Sequence, residues 1–166
     1  MREIPIGVQD FKLIRERDGY FVDKSLLIDS ILSRRLVAVH LFTRPRRFGK
    51  SVNLSMLDAY FNLRYRGNRW FDGLRVSDLR PDDPEKNSHP VIFMDFKELS
   101  SDGYDSTVRK ARIVVAEVCK RFPELAEGEG LDPDDVRMFL DLKSQSANDE
   151  VLASSLALLS RMLESR

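Results

Sequence analysis

The segment that most constrains this chain is residues 36–51, LVAVHLFTRPRRFGKS, where a mostly apolar run leads through an arginine-rich loop into a helical pattern. Residues 36–42 are too few for a stable helix and rich in aliphatic and β-branched side chains, the composition of a strand buried on both faces. From Ser51 onward, Leu54, Leu57, Tyr60, Phe61 and Leu63 mark an amphipathic helix that Gly67 can end. Strand, loop and helix in that order are the setting of a phosphate-binding loop. Its pattern, G-x-x-x-x-G-K-[ST], is met in its second half by Gly49, Lys50 and Ser51.

Each of these residue types has a mechanical task. Glycine lets backbone amides approach an anion, lysine reaches the β and γ phosphates, and the serine hydroxyl ligates Mg²⁺. The helix start adds a favourable dipole. The first glycine of the pattern is replaced by Arg44, and Pro45 biases Arg44 toward extended geometry and removes an amide donor. Arg46 and Arg47 can compensate, because planar guanidinium groups hold phosphate oxygens in bidentate fashion. The competing reading is a basic surface turn, with Gly49 as punctuation and the arginines solvated or ion-paired.

The rest of the chain repeats the alternation. A helix is expected over residues 24–34, with Val22 and Leu27 bracketing Asp23 as a staple brackets an N-cap. Residues 68–89 read mostly as loop, anchored by Trp70, Phe71 and Leu74. Residues 91–96 (VIFMDF) predict a second buried strand, and Tyr104, Val108, Ala111, Val115, Cys119 and Phe122 a helical stripe. Asp132-Pro133 looks like an N-cap followed by proline at the first helical position, and a last helix from Asp149 carries Leu152, Leu156, Leu159 and Met162 or Leu163 on one face. The expected fold class is therefore α/β: a partial P-loop-type parallel sheet flanked by helices, with an incomplete strand set, in a single domain over residues 1–166.

Composition narrows the partners. Lys plus Arg and Asp plus Glu both number 27, so no global basic field draws the chain to nucleic acid or anionic lipid. One cysteine excludes an intrachain disulfide and points to the cytoplasm, and no run is long and apolar enough for a signal or membrane segment.

Beyond the loop, PIGVQDF (residues 5–11), YFVDKS (residues 20–25), RPRRFGKS (residues 44–51) and HPVIFMDF (residues 89–96) together resemble the bacterial and archaeal AAA-ATPase-like family. The resemblance covers essentially the whole chain and is weakest after Phe122. It implies that the arginine at position 44 is the family's own form of the loop. It also implies a nucleotide site of Arg46, Arg47, Phe48, Gly49, Lys50 and Ser51, with ATP and Mg²⁺ as ligands and Ser51 on the metal. Longer members look to continue into an acidic strand and a nuclease-like C-terminal region. The resemblance thus implies an N-terminal portion whose sheet is completed by such a region or by a partner chain, with nucleic acid involved only indirectly.

Other residues stay open. Asp95 ends VIFMDF where a metal-holding aspartate could sit, or is a strand-end carboxylate. Asp23 and Lys24 match the family block, yet read alone they are a helix cap and an exposed residue. Cys119 reads as packed, and His40 and His89 are isolated with no ligand spacing. Binding of ATP, with hydrolysis doubtful in this chain alone, is the leading expectation. The alternatives are a phosphate or nucleic-acid module gripping with Arg34, Arg35, Arg44, Arg46 and Arg47, and an interaction domain with a remnant loop.

Overall fold

The computed structural model describes residues 2–34, 36–43, 45, 47–99, 103–127 and 130–165. The chain divides into two compact units, one reaching to Val91 and the other starting at Ile92.

The first unit holds α1 (Phe11–Glu16), α2 (Leu26–Leu32), α3 (Lys50–Phe61) and α4 (Arg75–Leu79). Phe11, Ile28, Met56, Ala59, Tyr60, Phe71 and Val76 form its buried core. Burying a side chain such as Phe11 stabilises by about 1.5–3 kcal/mol, and edge-on contacts with Phe21 and between Tyr60 and Phe71 fix the ring packing. Polar bonds set the orientation of α1 on α3. Asp10 caps α1 by accepting from the Lys12 amide at 2.9 Å, and the Ser55 hydroxyl of α3 donates to the same carboxylate while accepting from the Phe11 amide at 3.0 Å. The Lys12 ammonium then bridges Asp58 and the Tyr65 hydroxyl.

Two helix ends are closed from afar. The Leu74 position preceding α4 offers no side-chain cap. Asp23 accepts instead from the Arg75 amide at 2.9 Å, and the buried Ser25 hydroxyl accepts from the Val76 amide at 3.1 Å. Burial would raise the Asp23 pKa, but these amide donors, with those of Ser25, more than offset it and hold the carboxyl below its usual range. At the C-terminal end of α3, the buried Asn87 amide donates to the carbonyls of Ala59, Tyr60 and Asn62. It does so from a left-handed backbone, φ 53, a conformation asparagine tolerates better than most residues.

The second unit is helical: α5 (Tyr104–Lys120), α6 (Pro133–Ser144), α7 (Asp149–Ala153) and α8 (Ser155–Glu164). Its core is apolar, with Val118, Cys119, Phe122, Leu125, Phe139, Leu142, Leu159 and Met162 buried together. Asp132 caps α6 by accepting from the Asp134 amide, with Pro133 opening the helix, as the sequence predicts. Arg161 grips Asp135 with two nitrogens, at 2.6 and 2.9 Å.

The expected parallel sheet is overturned. Among the described residues neither 36–42 nor 91–96 forms a strand, and β-type pairing is limited to an isolated bridge between Asn62 and His89. A strand exists only where a neighbouring backbone accepts and donates its ladder, and apolar composition does not supply that neighbour. Leu36, Val39 and Leu41 are 101, 80 and 84% exposed, the opposite of a run buried on both faces. Ile92 and Met94 pack by side chain onto the second unit's helical core, while Arg121 donates to the Phe93 carbonyl at 3.2 Å. Smaller departures follow the same logic. The stretch read as loop contains α4, the last helix is broken into α7 and α8, and its buried face carries Leu158, Leu159 and Met162 while Leu156 is exposed.

Candidate functional site

The loop before α3 is built from left-handed turns. Arg47 has φ 68 and Gly49, the residue capping α3, has φ 75 and ψ 24. For an L side chain this region costs roughly 1–2 kcal/mol, a cost that glycine avoids at 49 and that Arg47 bears. Turns of this kind gather successive N–H groups into a concavity suited to anions.

The start of α3 is electrostatically incomplete. Gly49 provides no side-chain cap, the first turn holds no carboxylate, and the first helical residue is Lys50. By contrast α5, α6 and α7 each carry aspartate or glutamate in the first turn. A helix N-terminus disfavours a cation by about 0.3–1 kcal/mol and favours an anion by a similar amount. The start of α3 is thus a position where an anion is favoured over a cation.

Beside this loop lies a cavity of about 370 Å³, walled by Phe42, Phe48, Leu54 and Leu57, with Lys24 and Lys50 at its polar edge. That volume falls within the range of small-molecule sites, which pair apolar walls with a few placed polar groups. His40, isolated in sequence, stacks with Phe42 at 6.2 Å between ring centroids and joins the wall. A second hollow of about 170 Å³ is bordered by Pro5, Tyr20, Phe21, Lys24, Gly49 and Val52.

Of the expected site residues, Arg47, Phe48, Gly49, Lys50 and Ser51 are contiguous at this turn, with Arg47, Phe48 and Lys50 exposed and Ser51 half-buried. Arg46, like Arg35 and Arg44, lies outside the described residues. Ser51, in the first turn of α3, offers one hydroxyl oxygen, which suits an ion that draws most of its ligands from phosphate and water. Among the described residues no group of three His, Cys, Asp or Glu side chains gathers as a metal cage. Asp95 is paired with Lys97 at 2.9 Å, and that hydrogen bond holds its carboxyl below the usual range. No helix among the described residues is long and apolar enough to cross a membrane.

Lys24 is exposed, as the sequence suggests, and in addition its ammonium donates to the Phe48 carbonyl at 3.3 Å. No local signal marked that bond, because the partner lies 24 residues further along the chain. Asp23 and Ser25 turn to α4, and Lys24 to the loop.

A turn with left-handed Arg47 and Gly49 opens a helix without a side-chain cap beside an apolar cavity, an arrangement whose chemistry can accept an anion with an apolar portion. The chain belongs to the AAA-ATPase-like family, described as predicted AAA-ATPases, whose pattern matches residues 5–162. An uncharacterized protein from the vnfD 5′ region of Azotobacter chroococcum mcd 1 is 40% identical over 98 residues. That match takes 57% of this chain but 17% of the relative, so the chain corresponds to a small part of that protein's length. No solved structure matches the chain.

Proposed function

We propose that the turn at residues 47–51 binds the phosphates of a nucleotide, ATP foremost, with Mg²⁺ on the Ser51 hydroxyl. The observation that carries this reading is the start of α3: a left-handed Gly49, no cap, no first-turn carboxylate, and Lys50 in first place. The first turn of α3 carries no carboxylate to compete with a phosphate, and the adjoining cavity gives the rest of the ligand an apolar seat. Family membership supports the same reading at the level of an ATPase-like protein, and the cytoplasm, where ATP and Mg²⁺ are abundant, is its proposed compartment.

Binding stands ahead of turnover. In-line phosphoryl transfer needs a carboxylate or amide to position water as well as metal and loop, and Asp95 is engaged by Lys97 within its own unit.

A charge-assisted contact is worth about 1.5–3 kcal/mol, so Lys50→Ala should weaken Mg-ATP binding by roughly tenfold to a hundredfold. Isothermal titration of wild type and variant checks this. Equal affinities would remove Lys50 from the site, and a steep fall of single-stranded DNA affinity with salt, without nucleotide binding, would favour a nucleic-acid module.

A further inference from the structure

We infer that Lys24 is a positioning residue of the phosphate turn, acting through the Phe48–Gly49 peptide rather than on the ligand; this rests on the nucleotide-binding reading above. Its ammonium donates to the Phe48 carbonyl oxygen. A trans peptide is planar, with C=O and N–H pointing to opposite sides, so fixing that carbonyl fixes the direction of the Gly49 N–H. The bond turns the carbonyl toward Lys24 and the amide away from it. A carbonyl rotated into the turn would repel phosphate oxygens, so the lysine selects the anion-accepting orientation of a peptide that glycine's freedom would otherwise leave loose.

Three further observations give Lys24 the means to do this. Asp23 and Ser25, on either side, are pinned to the first amides of α4 at 2.9 and 3.1 Å, so the backbone that carries Lys24 is held at both neighbours. The ammonium lies 3.5 Å from where a Cβ would project from Gly49, so it sits against the backbone of that residue. Lys24 also borders both hollows flanking the turn. The DKS block is a clasp: two residues hold it to α4 and the middle one holds the turn.

The test uses the full chain, ¹⁵N-labelled, as wild type, Lys24→Met, Lys24→Gln and Lys24→Arg, with Trp70 fluorescence and thermal unfolding confirming that each folds. Without ligand, Lys24→Met and Lys24→Gln should displace the Gly49 and Lys50 amide resonances, while Lys24→Arg restores them. Titrated with Mg-ATP and Mg-ADP, the Met and Gln variants should lose affinity for both by the same factor, about threefold to tenfold for one hydrogen bond. Unchanged Gly49 resonances in both variants would overturn the inference. So would a loss confined to ATP, which would make Lys24 a contact of the terminal phosphate. A wild type that binds neither nucleotide refutes the proposed function, and the ligand-free comparison at Gly49 still decides the part played by Lys24.

Discussion

In the first unit the start of α4 and the end of α3 are closed by residues distant in sequence, whereas the side-chain caps of α6 and α7 in the second unit come from near neighbours. Asp23 and Ser25 serve amides 52 and 51 residues away, Ser55 serves Phe11 across 44, and Asn87 reaches back 25 to 28 residues to the end of α3. In the second unit Asp132 serves Asp134 and Asn148 serves Val151. Both units have an apolar core, but helix-end closure in the first unit also depends on polar side chains whose partners exist only once the fold has formed. The unit that carries the candidate site is the one whose geometry is set by long-range hydrogen bonds.

The contrast can be broken at its strongest point by emptying the second unit's core. Phe139 is fully buried among Val118, Leu142 and Leu159, and Phe139→Ala should cost about 3–5 kcal/mol in urea unfolding followed by helical circular dichroism. A loss of less than about 1 kcal/mol, the scale of a surface substitution, would mean that the core does not hold this unit.

Asn87→Ala sharpens the other side of the comparison. It strips three buried carbonyls of a donor and leaves alanine at a left-handed φ, so roughly 1–3 kcal/mol should be lost. Trp70 lies in the first unit and reports its unfolding. An unaltered midpoint would show that these carbonyls find water at no cost.

The smallest expected effect is Asp23→Ala, about 0.5–2 kcal/mol for a removed cap. Its pH dependence carries the sharper signature. Because the folded-state pKa is lowered, the carboxylate's contribution is complete above the unfolded value, about 3.9, and fades as pH falls through the folded value. The difference between wild type and variant should thus be full at neutral pH and shrink in acid. A difference that persists undiminished in acid would place the effect in packing instead of charge.

The same division explains what could be read from the sequence. Asp132-Pro133 and the helices over the Cys119 stripe and after Ser51 were legible because their determinants lie within a few residues. Yet α3 ends at Phe61, before Gly67, and buries Met56, Ala59 and Tyr60 while Leu54 and Leu63 are exposed. The place of Gly49 before a helix was legible too, since the residue that opens α3 has a left-handed backbone that glycine adopts without strain. The positioning lysine was hidden because its partner is 24 residues away, and α4 because its capping groups come from before α2. The strands were misread for a related reason. LVAVHLF and VIFMDF state that side chains favour burial, but strand formation depends on a second backbone that no local pattern contains.

Cys119, fully buried in α5, has its thiol pushed up to about 11 by burial. It is the chain's one cysteine. Only a thiolate attacks an alkylating reagent, and neither the ionised form nor access is offered while the helices stay packed. Labelling of this sulfur therefore reports how far the second unit opens, and reports the opening rate itself once reagent is in enough excess to outrun reclosing.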